Sequence, residues 1–205
     1  QLETFITQVV NRYKDSPALD SYQLENEYFL KGFGICSNFD RDRLISEAAL
    51  VKRLDSKHPL IISRSNNAIG TPIGKPTPDE FGISIYKRVW DATFTKRYLE
   101  YPFPAWYYAF VAGFQKIVTG KDMIIHELQA EAWPPNGQGI SKISLEEQNK
   151  SFNAQRFETR LEFGEATGMR EIYLWGSEYW YYRVVHEHDD SLWNVAKEAF
   201  AKNQR

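Results

Sequence analysis

Residues 21–29 read SYQLENEYF. The run opens with the aromatic and apolar content of a short strand. It then turns to three acceptor-rich side chains, Glu25, Asn26 and Glu27. Strands covered on both faces by crossover helices read as short apolar runs, with polar residues collecting at their ends. The stretch therefore predicts a strand over 21–28 and raises the question of what the other strands carry at the same end.

Four further runs have this form: LIIS at 60–63, FGISIYK at 81–87, MIIHELQAEAW from 123, and EIYLWGSEYWYY at 171–182. Helical spacing fills the intervals. Leu2, Phe5, Ile6, Val9, Val10 and Tyr13 mark a helix over 1–14, broken by Asp15-Ser16-Pro17. Leu44, Ile45, Ala48, Val51 and Leu54 mark one over about 40–56, with Asn38 or Asp40 as its cap. A third helix opens at Pro104. Ser144 and Glu147 have capping-box spacing ahead of a long helix to about 166, closed by Gly168. A last helix covers about 191–203, and residues 66–80 form a Gly/Pro-rich loop.

Strands that alternate with helices imply parallel strands joined by crossovers. Two features point to a barrel rather than an open nucleotide-binding sheet. No strand is followed by a glycine-rich phosphate loop. Instead, polar and aromatic residues close strand after strand: Asn26 and Glu27, Arg64 and Asn66, Tyr86, Glu127 and Gln129, Trp175 and Glu178. In (β/α)8 barrels that end carries the site, and several strands contribute to it. The fold class expected is α/β, a TIM-type barrel represented by its C-terminal five β/α units in a single partial domain over 1–205.

Composition narrows the function classes. The 205 residues are 42% hydrophobic, enough for one sizeable core. The net charge is −2 and no basic run tracks a phosphate backbone, so no nucleic-acid partner is expected. No apolar run approaches the roughly 18 residues of a membrane span, so no membrane partner is expected either. The lone Cys36 excludes an internal disulfide and reads as a packed side chain. With QLETFITQVV lacking the form of a signal peptide, it favours a cytoplasmic over a secreted compartment. His58 and His126 are isolated. His186 and His188, in HEHDD, read as a solvated loop after the last strand rather than a metal site.

Glu27 and Glu127 each follow an apolar strand, and parallel barrel strands would aim both at one mouth. Two carboxyls flanking a glycosidic bond are the machinery for cleaving it. One holds a proton for the leaving oxygen, and the other, ionised, attacks the anomeric carbon or activates water. Different surroundings separate their pKa values so that both roles coexist. Asn26 would donate to a neighbouring sugar hydroxyl. Glu131, in QAEAW, is a rival nucleophile, but Glu127 lies nearer the apolar run MII. Glu25 reads as half of a structural ion pair. Arg64 reads either as a substrate anchor or as half of a salt bridge.

The Asn26-Glu27 pair in LENEYF and Glu127 in IIHELQAEAW, three strands later, resemble the clan-A glycoside hydrolases, retaining enzymes on a (β/α)8 barrel. The resemblance implies that Glu27, following Asn26 at the end of strand four, is the acid/base and that Glu127, at the end of strand seven, is the nucleophile. The Glu127-x-Gln129 spacing looks like the β-galactosidase branch. Tyr86 and Trp175 match a tyrosine and a tryptophan that the clan often carries at the ends of strands six and eight. Substrate contacts are expected from Asn26, Arg64, Tyr86, Gln129, Trp175 and Glu178, with no metal and no cofactor. The expected partner is a carbohydrate substrate, together with a second copy or another segment supplying strands one to three. The alternative is a non-catalytic carbohydrate-binding or structural fragment of such a barrel. A nucleotide-dependent α/β enzyme is a third reading, opposed by the missing phosphate loops.

Overall fold

The computed structural model describes residues 1–28, 40–65 and 74–202. Asn38, Cys36 and Asn66 lie outside the described residues. Among those described there are seven strands and seven α-helices, in the order α1 (Leu2–Tyr13), β1 (Tyr22–Gln23), α2 (Arg41–Leu54), β2 (Leu60–Ser65), β3 (Glu80–Ile85), β4 (Arg88–Trp90), β5 (Tyr98–Glu100), α3 (Ala105–Thr119), β6 (Asp122–Gln129), α4 (Leu145–Ser151), α5 (Ala154–Ala166), β7 (Ile172–Trp175), α6 (Ser177–His186) and α7 (Ser191–Lys202). Five strands form one sheet in the order β1-β2-β3-β6-β7, and β4 pairs with β5 alone. The β1–β2, β2–β3 and β6–β7 pairs are parallel. The expected α/β class and the five parallel strands are both present.

The chain divides into two compact units, Gln1–Ser84 with Val111–Ile124, and Ile85–Phe110 with Ile125–Arg205. The first is built around Ile6 and Val10 of α1, Leu44, Ala48 and Val51 of α2, and Leu60 and Ile62 of β2. The apolar spacing of both helices creates this core, since residues three and four apart share a helix face. Asp40 caps α2 by accepting from the Asp42 amide. The second unit packs Phe152, Phe157, Tyr179, Trp180 and Leu192 around Ala130 and Ala132. Phe157 lies 4.9 Å from Trp180, centroid to centroid.

Four expectations are corrected. The strand expected over 21–28 is only Tyr22–Gln23; Glu25 and Glu27 then take left-handed backbone, at φ 58° and 46°. A strand cannot continue through such residues. The long helix after Ser144 is two helices. Ser144 accepts from the Glu147 amide as anticipated, but Phe152 leaves the helix and Asn153 starts a new one by capping Arg156. The Glu147 carboxylate binds Tyr98 and Lys150 instead of closing a capping box.

The third correction concerns residues 171–182, whose β-prone aromatics suggested one strand. The strand stops at Trp175, Gly176 turns at φ 143°, and Ser177–His186 is helical. Its buried Tyr179, Trp180 and Arg183 follow helical spacing, and His186 ends that helix rather than lying in a loop. The fourth is the antiparallel β4–β5 pair, which the sequence reading left unassigned.

Candidate active site

In the first unit the chain leaves β1 with the Leu24 amide on the Ile61 carbonyl, then turns through Glu25 and Glu27. This turn carries Glu27 back over the ends of β2 and β3. Its amide donates to Ser63 Oγ at 3.0 Å, and the hydroxyls of Ser84 and Ser65 act on its carboxyl in favour of the charged form. Ser65 and Ser84 are register partners on adjacent strands, so their hydroxyls present together. Glu27 is only 4% exposed. Burial raises its pKa above the usual carboxylate range, and the two serine hydroxyls oppose that rise only in part. The group is a buried carboxyl biased toward keeping its proton.

Asn26 is exposed, and its Oδ1 accepts from Gln23 Nε2 at 3.2 Å. Glu25 is the ion-pair residue anticipated: Arg43 bridges it at 2.8 Å and Glu47 at 2.9 Å. Burial, against the pull of Arg43, pushes Glu47 up to about 7. Arg64 is buried on β2 between Ser63 and Ser65. Period two gives it the side of the strand opposite to those serines.

In the second unit Glu127 lies near the end of β6, 5% exposed. The Tyr86 hydroxyl donates to its Oε2 at 2.9 Å. Tyr86 sits just past β3 and meets the edge of Trp133 at 5.3 Å, so the tyrosine is held on its other side by an indole. His126 approaches Glu127 at 3.9 Å, but burial lowers its pKa, so the contact is not an ion pair at neutral pH.

Gln129 is fully buried and its amide is committed. Oε1 accepts from the Lys87 and Arg88 amides, both at 2.9 Å, and Nε2 donates to the Arg88 carbonyl at 2.7 Å. It staples β6 to the chain beyond β3 and fixes the segment that begins with Tyr86. This is a positioning role in place of the direct sugar contact expected. Trp175 ends β7 and is 50% exposed, a free aromatic face. Glu178 is exposed in the first turn of α6, near Ser177 Oγ at 3.3 Å. It is a helix residue and not, as expected, a strand-end residue.

The serines were not predicted as site residues, and Glu131 was named only as a rival to Glu127 for the nucleophile. Ser63, Ser65 and Ser84 read as strand filler in an apolar run. The available signal was their period-two spacing and small polar side chains beneath a glutamate. Glu131 is held by burial at about 7, with Trp175 hydrogen-bonded to it and Glu178 and Glu127 acting on it as like charges. Among the described residues no group of three or more His, Cys, Asp or Glu could hold a metal ion. No described helix is long and apolar enough to cross a membrane.

No protein-family model and no curated sequence matches the chain. Solved structures do. A GH2 β-galacturonidase from Eisenbergiella tayi matches with a TM-score of 0.56 in its galacturonate-bound form and 0.53 in its glycerol-bound form, at 16% identity. A β-D-glucuronidase from Dictyoglomus thermophilum matches with a TM-score of 0.47 at 15% identity. Each match covers 84% of this chain and 28% of the other. The chain therefore has the fold of part of a glycoside hydrolase and spans about 28% of the length of the structures it matches. Its five-stranded parallel sheet is consistent with part of a (β/α) barrel.

Proposed function

We propose that residues 1–205 form the catalytic portion of a retaining glycoside hydrolase of the clan-A type. The observation that carries this reading is a pair of buried glutamates in contrasting surroundings, Glu27 in the turn that follows β1 and Glu127 near the end of β6. Glu27 is proton-retaining over three serines, and Glu127 is oriented by a tyrosine hydroxyl. Paired carboxyls with separated proton affinities are what acid-assisted displacement requires.

In the reaction Glu127 attacks the anomeric carbon as the glycosidic C–O bond breaks. Glu27 passes its proton to the departing oxygen, leaving a glycosyl ester on Glu127. Glu27, now ionised, takes a proton from water. The water oxygen attacks the same carbon, and Glu127 departs as a carboxylate. The mechanism demands the two carboxyls about 5–5.5 Å apart in the working enzyme. Asn26 hydrogen-bonds the sugar hydroxyl beside the reacting carbon, Trp175 stacks on a C–H face, and Glu178 contributes at the periphery, while Arg64, on the other side of β2 from Ser63 and Ser65, takes a structural role. A carbohydrate is the partner. A second copy, or a further segment, supplies the remaining barrel strands.

The test is a panel of 4-nitrophenyl glycosides with proton NMR of the first product anomer. Retention of configuration is expected, as is labelling of Glu127 by a 2-deoxy-2-fluoroglycosyl fluoride, located by peptide mass spectrometry. Inversion, or labelling elsewhere, removes the assignment. A chain that binds sugar yet turns over nothing, alone or in its natural assembly, is the binding fragment instead.

A further inference from the structure

Glu131 is left unused by the mechanism above, and the fold goes to some length to place it. Gly176, at φ 143°, closes the end of β7 onto β6 so tightly that a Cβ there would lie 2.4 Å from the Ala130 carbonyl oxygen and 3.1 Å from Glu131 Cβ. The Ala130 amide donates to the Trp175 carbonyl at 2.9 Å, and Trp180 Nε1 donates to the Ala130 carbonyl at 2.6 Å. Gln129 Nε2 reaches the Glu131 carbonyl at 3.4 Å. The Glu131 backbone is thus pinned from β6, β7 and α6. Its carboxyl is hydrogen-bonded by Trp175, whose half-exposed ring is the sugar platform of the proposed site.

The groups acting on this carboxyl are Glu127 of β6, Trp175 of β7 and Glu178 of α6; Tyr179 of α6 feels it in turn. None is cationic. Among the described cations of this unit, Lys87 is held on the Tyr101 and Phe103 carbonyls, Arg88 on the Lys150 carbonyl, Arg156 and Arg160 on Glu100, and Arg183 on Asp189 and Tyr179.

We propose that Glu131 is a specificity-determining residue that hydrogen-bonds a hydroxyl of a neutral sugar seated on Trp175 and, with Glu127 and Glu178, turns away sugars that bear a carboxylate. This rests on the glycosidase reading and sharpens its substrate class. A carboxyl that keeps its proton to about pH 7 offers a donor that an ordinary glutamate lacks. A uronate in its place would bring a further anion up to Glu131, on which Glu127 and Glu178 already act as like charges, and like-charge juxtaposition of this kind discriminates strongly.

The experiment compares kcat/KM for a neutral 4-nitrophenyl glycoside and the uronide of the same configuration, from pH 5 to 9, in wild type, Glu131→Gln and Glu131→Ala. Wild type should favour the neutral glycoside by roughly 100-fold or more, with activity falling above pH 7. Glu131→Ala should raise KM about 10- to 100-fold, more than it lowers kcat. Glu131→Gln, which keeps an N–H donor that does not titrate, should lower activity at pH 6 only about 3- to 10-fold and carry the alkaline fall to higher pH.

Circular dichroism checks that each variant is folded. If nothing is turned over, the same two preferences are read from sugar titrations of tryptophan fluorescence at pH 6 and pH 8.5. A wild type preferring the uronide, or a Glu131→Gln pH profile superimposed on that of wild type, overturns the proposal. Silence of Glu127→Gln in the same assays shows that the glycosidase reading survives that outcome.

Discussion

The Tyr86 hydroxyl donates to Oε2 of Glu127 across 2.9 Å, and Trp133 meets the tyrosine ring edge-on at 5.3 Å. The tyrosine is therefore held at both ends and fixes the carboxylate's orientation. The other oxygen, Oε1, has His126 Nδ1 at 3.9 Å. Tyr86→Phe should lower kcat by about 10- to 100-fold with a smaller change in KM, the pattern of a group that matters more in the transition state than in binding. Steady-state kinetics on an activated aryl glycoside measures the split.

Removing the nucleophile is a harsher change. Glu127→Gln is nearly isosteric and keeps an acceptor for Tyr86, so the fold should persist. Turnover should fall by at least about 10³-fold. Thermal denaturation alongside the assay separates lost chemistry from lost structure, and full activity would exclude Glu127 from attack.

Glu27 carries a different signature. Its raised pKa, caused by burial, means that the proton needed by the leaving group is retained to higher pH than on an ordinary glutamate and is lost as pH rises further. In kcat/KM this appears as the alkaline fall-off. Glu27→Gln should remove the part of that limb due to Glu27, leaving the part due to Glu131, and cut hydrolysis of alkyl glycosides roughly 10²- to 10⁴-fold, while glycosides with nitrophenolate leaving groups, which depart unprotonated, should suffer far less.

Glu131 links the site to stability. Its folded pKa is about 7 against a reference of 4.5. The folded state thus binds this proton more tightly than the unfolded chain. The associated stability is fully present below about pH 4.5 and is lost as pH rises through 7. Glu131→Gln does not titrate and should gain on wild type as pH increases. Relative to its value at pH 4, its advantage at pH 8.5 should grow by roughly 1–2 kcal/mol, after allowing for partial solvent screening. Urea titrations at the two pH values measure it.

Gly176→Ala tests the closure behind Trp175. The added methyl would collide with the Ala130 carbonyl at 2.4 Å, on backbone that only glycine adopts readily. A loss of about 2–4 kcal/mol is expected, with Trp175 fluorescence altered in the folded fraction.

Much of this framework was legible in the residues themselves. Apolar runs such as Leu60–Ile62 and Met123–Ile125 announced parallel strands, and the 3.6-residue rhythm of α1 and α2 announced their helices. Glu27 and Glu127 stood out as acids following such runs. What stayed hidden depends on competition between local and distant forces. Residues 177–182 have strand-like composition, yet burying Tyr179 and Trp180 on one helix face wins once Gly176 has turned the chain. The β4–β5 pair rests on partners eight to twelve residues apart, Arg88 and Glu100 among them, which no short window relates. The serine cradle under Glu27 exists only because β2 and β3 align Ser65 with Ser84. Gln129 looked like a sugar ligand because its four backbone hydrogen bonds arise from the fold around it.

The left-handed backbone at Glu27 has a practical corollary. Glutamate is held there at φ 46°, a region in which glycine is at ease and branched side chains are not. Exchanging this residue for glycine would relax the main chain while excavating a small void above the serines. Such a protein could admit formate or azide where the carboxyl had been, and its response to those salts would be an independent readout of which step the missing group once served.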